Sequence, residues 1–336
     1  MIRVSAGIIR DPAGRILVCQ RGEGRANAHL WEFPGGKQEP GEDEIACLRR
    51  ELTEELSLPV DHLSIRVVEE CEGIRFTFIA GTTACTPIPT EHEAVSFLAP
   101  RGLLKLPFCP ADAPVARRIA MSEPKLRAVF WDFDGTLFDT YPMMNRALLA
   151  ACADYGVRES EDDLLPLMKI SLRHALETLS EKHRLPLNGL SEAYMYEEQK
   201  TGPSAFPLMP GAEEALLALR SRGCRHFLVT HRDRRCLDAL NGKGLEELFT
   251  DCVTKESGFP RKPDPASVQS LLRKHCLRPD VVCMVGDRPL DVEAGCRAGT
   301  VGCLFDPPHL FDGIDCDLRA DDLNDLPDLL CPGALL

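Results

Sequence analysis

Two acidic clusters in tandem constrain this 336-residue chain more than any other feature: RRELTEEL at 49–56 and DFDGTLFD at 132–139. In the first, Glu51, Glu54 and Glu55 stand at i, i+3 and i+4, so a helix places them on one face. Ile45, Leu48 and Leu52 fall on another face and can pack into a core. Three carboxylates side by side repel each other unless a cation neutralises them. Hard oxygen ligands in that number suit Mg2+ or Mn2+. Arg50 is placed to hold one carboxylate, and the Gly35–Gly36 turn leaves backbone carbonyls open to a metal.

The second cluster follows the apolar run AVFW, and alternation along a strand points Asp132 and Asp134 to the same side. One can attack phosphorus; the other can protonate the leaving oxygen and later activate water. Such chemistry needs a hydroxyl and a cation for the phosphoryl oxygens and more carboxylates for a metal. Later segments supply them: Thr230 after HFLV, Lys262 in FPRKPDP, and Asp287 and Asp291 in GDRPLD. Each of these alone reads as a turn, a strand end or surface charge; at successive strand ends they read as one site.

The pattern around the clusters predicts two α/β domains. Residues 2–10 and 16–21 read as strands joined by a DPAG turn, followed by a polar loop at 22–30 and WEFPGGK. A helix is expected from Asp43 to about Leu56, strands over 64–70, 74–80 and 94–98, and a helix from Ala111 to about Met121. SEPKL, at 122–126, is the linker candidate, short enough that the halves should abut. Beyond it, strands alternate with helices, which implies a parallel doubly wound sheet, interrupted by a helical block at 141–207.

The formal net charge of -13 argues against a nucleic-acid duplex or an anionic membrane as partner, and leaves small phosphorylated substrates whose charge metal ions can offset. No stretch reads as a signal peptide or approaches the ~18 apolar residues of a membrane span, which points to the cytosol. The fifteen cysteines include no C-x-x-C pair, so they read as small buried hydrophobes in a reducing compartment rather than zinc ligands.

The segment Gly35–Leu58 resembles the Nudix box, G-x5-E-x7-R-E-U-x-E-E-x-G-U with U aliphatic. It matches at Gly36, Glu42, Arg50, Glu51, Leu52, Glu54, Glu55 and Leu58 and departs at Ser57, where the box has glycine. The departure touches the helix end rather than the metal. Resemblance covers about 1–120 and is nearest the MutT branch. It implies cleavage of a (d)NTP to (d)NMP and pyrophosphate, with Glu54, Glu55 and the Gly35 carbonyl as metal ligands and Glu51 as ligand or general base. It also implies that Arg21 meets phosphate and that Glu32 and Phe33 border a base pocket. Glu93 is a further ligand or base candidate, one residue out of the expected register. Where MutT-type enzymes carry a base-reading amide, this chain has Asp112, which only accepts hydrogen bonds when ionised; the same residue also reads as a helix N-cap.

The motifs DFDGTLFD, Thr230, Lys262 and Asp287 resemble the haloacid dehalogenase (HAD) phosphatases, in the phosphoglycolate-phosphatase-like branch with a small helical cap. That implies Asp132 as nucleophile and metal ligand, and Asp134 as acid/base and, through its carbonyl, metal ligand. It makes Asp287 a metal ligand, Thr230 and Lys262 phosphate clamps and Asp291 a support. His231 and Arg232 are candidates for touching substrate, as are Tyr141 and Arg146.

The expected architecture is thus a Nudix α/β/α domain with a mixed sheet at 1–122 and a Rossmann-like HAD domain at 127–336, with its core at 127–140 and 208–336 and its cap at 141–207. The expected function is a bifunctional Mg-dependent hydrolase, with Mn2+ as an alternative ion. In it the HAD half takes the NMP or pyrophosphate released by the Nudix half. Two alternatives stand beside it: unlinked activities with a phosphoglycolate-like phosphatase, and a Nudix half that senses a ligand and regulates the phosphatase.

Overall fold

The computed structural model describes residues 1–332 and divides into two compact units, built from Met1–Lys125 and from Leu126–Leu330. In the first, strands β1 (Ile2–Arg10), β2 (Ile16–Gln20), β3 (Trp31–Glu32), β4 (Gly35–Lys37), β5 (Asp61–Cys71), β6 (Ile74–Thr82) and β7 (Ala94–Leu98) form one mixed sheet. Its path is β3-β2-β1-β6-β5, with β4 on β1 and β7 on β2. The central pair, β1 and β6, is parallel from Ile2 opposite Ile74 to Arg10 opposite Thr82. Both of its faces are covered, which is why ILVCQ and the middle of β1 are apolar without alternation.

Helix α1 (Glu44–Leu56) covers one face. Leu48, Leu52 and Leu56 pack on Ile9, Leu17, Cys19 and Ile79. Each fully buried leucine contributes about 1.5–3 kcal/mol of apolar transfer. Helix α2 (Ala113–Ser122) covers the other face with Val115, Ala116, Ile119 and Ala120 on Ala6, Ile8, Val18 and Phe78. The unit is therefore an α/β/α sandwich. The short strands β3 and β4 lie in WEFPGGK, which the sequence assigns to no element, since two or three residues give no periodicity.

Asp43 starts α1 by accepting the Ala46 N–H at 2.7 Å. The helix ends at Ser57 in the left-handed region, φ 48°, with its N–H on Thr53 O and the Leu58 N–H on Leu52 O. This is the geometry for which glycine is ordinarily used.

The second unit has an all-parallel sheet in the order β10-β9-β8-β11-β12-β13. The strands are β8 (Ala128–Trp131), β9 (Arg225–Val229), β10 (Phe249–Val253), β11 (Val282–Gly286), β12 (Val301–Phe305) and β13 (Leu318–Ala320). Residues of β8 and β11 are wholly buried, so these strands are continuous apolar runs. Trp131 ends β8 and donates from Nε1 to His226 Nδ1 at 3.0 Å. The edge strand β13 lies in a polar tail that gave no strand signal.

Between β8 and β9 stand α3 (Tyr141–Ala153), α4 (Glu161–Ile170), α5 (Leu172–His183) and α6 (Leu187–Gln199), then α7 (Ala212–Ser221). The first four form a helical cap with its own core of Leu148, Cys152, Leu164, Met168, Leu179, Leu190 and Tyr194. The remaining helices, α8 (Arg235–Gly242), α9 (Ala266–Lys274), α10 (Pro289–Arg297) and α11 (Leu326–Leu330), alternate with the strands. Among the described residues, no helix is long and apolar enough to cross a membrane.

Ser57→Gly relieves the left-handed strain, so we expect it to stabilise the end of α1 by about 0.5–1 kcal/mol. Hydrogen exchange of the Leu58 amide should slow by up to about fivefold.

Candidate functional sites

The carboxyl ends of the three central strands of the second unit converge where the strand order reverses, the place where open α/β sheets bind ligands. β8 delivers Asp132 and Asp134, β9 delivers Thr230, and β11 delivers Asp287. Gly135 (φ 71°) turns the chain here, and a Cβ on it would lie 2.5 Å from Asp287 Oδ2, so this turn requires glycine. Lys262, 4% exposed, sends Nζ to within 2.6 Å of both Asp132 Oδ1 and Asp291 Oδ1. Burial works against its charge, but those two carboxylates hold its pKa above the ordinary lysine value. Burial and the nearby Asp291 push Asp132 up to about 6. Thr230 Oγ1 accepts the Arg232 N–H at 3.1 Å, leaving its hydroxyl proton to donate.

The oxygens of Asp132, Asp287 and Asp291 lie within 4.8 Å of one another, the one such acidic, histidine or cysteine group among the described residues. Asp132 Oδ2 and Asp287 Oδ1 are buried without a hydrogen-bond partner. Two orphaned carboxylate oxygens in a buried site are what a hard divalent cation requires, so the donor set fits Mg2+.

Three contacts at this site escaped the sequence reading. Lys169, from the end of α4, donates to Asp287 Oδ2 at 2.6 Å, its ammonium over the Tyr141 ring. The Tyr141 hydroxyl donates to the same oxygen at 2.9 Å. Arg232 donates from Nε to Asp134 Oδ1 at 2.6 Å and from Nη1 to the buried Glu198 of α6 at 2.9 Å. The cap thus reaches Asp287 through Lys169 directly and Asp134 through Glu198 by way of Arg232. Arg288 lies 3.7 Å from Asp132 Oδ2. Of the earlier candidates, Tyr141 and Arg232 line the cleft and Arg146 does not. The cleft between core and cap has a volume of about 710 Å3; its cap wall mixes Leu172, Leu176, Leu187 and Met195 with polar residues such as Arg173, Glu177, Asn188 and Ser191.

In the first unit, Arg50 ties the acidic face together. It donates to Glu42 from Nε at 2.8 Å, to Glu51 and Glu54 from Nη1 at 3.0 Å each, and to Lys37 O at 3.1 Å. A Cβ on Gly36 would come within 2.3 Å of Glu51 Oε1, so the Glu51 carboxylate packs directly on the glycine turn. Gly35 has φ 151°, and a Cβ there would meet Ser5 O at 2.0 Å. Glu51 and Glu55 are largely covered and Glu54 is exposed. Burial pushes Glu55 up to about 7, opposed by His92, whose Nε2 lies 3.7 Å from both Glu55 and Glu32. The carboxylates of Glu51, Glu54 and Glu55 do not close to 4.8 Å among themselves, unlike the set in the second unit.

Several first-unit candidates are placed differently from expectation. Arg21 is ion-paired to Glu32 rather than left for phosphate. Glu93 pairs with His29 at 2.7 Å, and it is His92 that faces Glu55. Asp112 precedes α2 but makes no capping bond; its Oδ1 accepts the Phe33 N–H at 3.0 Å. Burial raises Asp112 to about 7, so near neutrality this carboxyl can hold a proton and donate, beyond the acceptor role read from sequence. Phe33 is itself buried, edge-on to Phe78 and tilted against Phe108.

Comparison with known proteins agrees with this architecture. Residues 129–304 match the haloacid dehalogenase-like hydrolases, and residues 1–119 match the NUDIX domain. The chain belongs to the haloacid dehalogenase-like hydrolase family, with a NUDIX domain fused ahead of it. It is 26% identical over 236 residues to a phosphoglycolate phosphatase of Vibrio vulnificus (strain YJ016), covering 64% of this chain and 100% of the relative. It is 30% identical over 227 residues to a plasmid phosphoglycolate phosphatase of Cupriavidus necator, covering 62% and 94%. A solved structure described as a predicted phosphoglycolate phosphatase from Haemophilus somnus 129PT superposes with TM-score 0.54 at 20% identity, over 60% of this chain and 96% of that one; the likeness carries the fold.

Two outcomes follow from these geometries. Lys169→Met strips a buried carboxylate of its counter-charge, so it should destabilise the metal-free second unit by about 3–5 kcal/mol. Added Mg2+ should then raise the thermal midpoint of the variant more than that of the parent chain. Asp112 has a folded pKa raised to about 7, so its contribution is complete below about pH 4 and is lost as pH rises to about 7. Asp112→Asn should therefore gain stability relative to the parent chain across that window, as read from unfolding midpoints at pH 4 and pH 7.

Proposed function

We propose that the chain is a bifunctional Mg-dependent hydrolase. In this reading the NUDIX half cleaves a (d)NTP, normal, oxidised or otherwise modified, to (d)NMP and pyrophosphate. The HAD half hydrolyses a phosphomonoester such as the NMP, or pyrophosphate, through a phosphoaspartate. The observation that carries it is the buried set of Asp132, Asp287, Asp291 and Lys262 on a chain whose other half keeps Glu42, Arg50, Glu51 and Glu54 in one network. Sensing alone gives no reason to hold such a costly group of carboxylates.

In the HAD half, Asp132, Asp287 and the Asp134 carbonyl would hold Mg2+, with Asp291 in support. The ion would neutralise phosphoryl charge and set aside the repulsion between the entering phosphate and the carboxylates. The Asp132 carboxylate attacks phosphorus and the ester P–O bond breaks, while Asp134 gives its proton to the leaving oxygen. Water then attacks the phosphorus of the aspartyl phosphate, Asp134 takes its proton, and inorganic phosphate leaves with Asp132 restored. Thr230 and Lys262 grip the phosphoryl oxygens throughout. Arg232, bonded to Asp134, fixes the direction from which that carboxyl reaches the leaving group.

In the NUDIX half, Glu54, Glu55 and the Gly35 carbonyl would hold Mg2+, and Glu51 acts as ligand or base for the attacking water. Arg50 keeps the acidic face in register. Arg21 and Glu32 form a paired border to the substrate cleft, and Asp112, carrying a proton, reads a base edge as donor.

The test follows products by mass spectrometry from a panel of normal, oxidised and methylated (d)NTPs with Mg2+. The parent chain should yield phosphate, together with nucleoside if the HAD half takes the NMP or with NMP if it takes pyrophosphate; Asp132→Asn should stop at NMP with pyrophosphate, and Glu54→Gln should leave the NTP intact. If Asp132→Asn changes nothing after NMP, the two halves are not in sequence. If no NTP is consumed, the NUDIX half is not a pyrophosphohydrolase of these substrates.

A further inference from the structure

Strand β5 (Asp61–Cys71) is the longest strand described, and it closes one edge of the first unit's sheet. β6 pairs along one side of it, and among the described residues no strand pairs along the other. A free edge presents unpaired N–H and C=O groups to any strand that can lie beside it. Lysine and proline, which commonly discourage such pairing, are absent from DHLSIRVVEEC. Ile65 and Val68 are 49% and 41% exposed on it.

The turn into β6 fixes which backbone groups face outward. Glu72 and Gly73, at φ 50° and 76°, form the two-residue loop of a β-hairpin, with Cys71 opposite Ile74. The pair that flanks such a loop is hydrogen-bonded, and hydrogen-bonded pairs then alternate along the ladder. Cys71, Glu69 and Val67 therefore direct their backbone groups to Ile74, Phe76 and Phe78. Val68 and Glu70 point theirs away from the sheet. The two register shifts of this ladder, at Asp61–Ser64 and Ile65–Val67, lie in the first part of the strand and leave Val67–Cys71 regular.

The side chains select the partner. Arg66, Glu69 and Glu70 are exposed, and none has a side-chain hydrogen bond or ion pair among the described residues. Two copies of one edge strand related by a twofold axis pair antiparallel. With Val68 opposite Val68, Arg66 of each copy stands across from Glu70 of the other, and Glu69 faces Val67. Registers shifted toward the hairpin tip set Glu69 against Glu69 or Glu70 against Glu70, and like charges directly opposite destabilise a sheet. A shift the other way sets Arg66 against Val68 and leaves the charges unmatched. Arg66 is the residue inserted at the second register shift, and its side chain is long enough to span that irregularity.

We infer that β5 is the interface of a homodimer, in which two chains join their first-unit sheets edge to edge with Val68 on the twofold axis. Backbone bonds from Val68 and Glu70 hold the two strands together. The two Arg66–Glu70 pairs fix the register, Val68 meets its own copy, and Ile65 comes opposite Cys71. So short a seam falls at the small end of specific interfaces, which sets the association in the micromolar range. No candidate site residue lies on β5, so substitutions there test association without touching either site.

Sedimentation velocity of the full chain at increasing micromolar concentration tests this, with circular dichroism as the control for folding. The parent chain should pass from monomer to dimer. Arg66→Glu and Glu70→Arg each turn both charge pairs into repulsions, so each should raise the dimer Kd about tenfold or more. Mixed in equal amounts, these two variants set carboxylate against guanidinium at both positions again, and should recover a dimer that neither forms alone. Val68→Pro removes an outward N–H without taking a bond from the sheet, and should also leave a monomer. A parent chain that stays monomeric throughout overturns the inference. A dimer that all three substitutions leave intact has its interface elsewhere and overturns it equally. Folded single variants whose mixture stays monomeric overturn it as well, since the charge pairing across the axis is then absent.

Discussion

Lys262 is a wholly buried ammonium, placed 2.6 Å from two carboxylates that would otherwise repel each other at the end of the central strands. Burying a charge is tolerable only when it is compensated. Asp132, Asp291 and Lys262 therefore form a unit in which each is costly without the others. The remaining parts are arranged around that balance. β8 must end where Asp132 can meet Lys262, and Asp287 on the neighbouring strand is left with an oxygen free for a cation. The fully buried strands β8 and β11 bring Asp132 and Asp287 to this point, while the loop after β10 brings Lys262 and helix α10 brings Asp291.

A second balance lies between core and cap. Lys169 and Glu198 are cap residues, both buried, and their partners are Asp287 and the Arg232 that holds Asp134. The cap is thus part of the electrostatics of the site, where the sequence presents it as a helical insertion with its own small core. A cap that moves away uncovers Asp287 and loosens Arg232 together. On its mixed inner wall, Leu172, Leu176, Leu187 and Met195 would meet the apolar part of whatever organic group a substrate carries.

Much of this could be read from the chain because the informative residues signal locally. Asp132 and Asp134 follow an apolar strand, Glu51, Glu54 and Glu55 share a helix face, and Ser57 stands at the left-handed end of that helix. The architecture of both units follows from the same patterns. The cap contacts were not readable: Lys169 sits in LMKIS and Glu198 in YEEQ, where either is indistinguishable from a solvated helix residue. His92 was missed for its neighbour Glu93 because a carboxylate is the more obvious ligand, and one position along an irregular loop decides which side chain turns inward. Asp112 was recognised by position, but its protonation depends on burial, which is not legible locally; the Phe33 N–H that it accepts, from far away in sequence, opposes that shift.

The chain has two tryptophans, and each stands next to a candidate site residue: Trp31 before Glu32 in the first unit and Trp131 before Asp132 in the second. Trp131 is wholly buried with its indole N–H bonded to a neutral histidine, while Trp31 is only partly buried on β3. Their surroundings differ enough that the two indoles should emit at different wavelengths, the buried one further to the blue. The protein therefore carries one intrinsic optical reporter per unit, and ligand arrival at either site can be followed on the unlabelled chain.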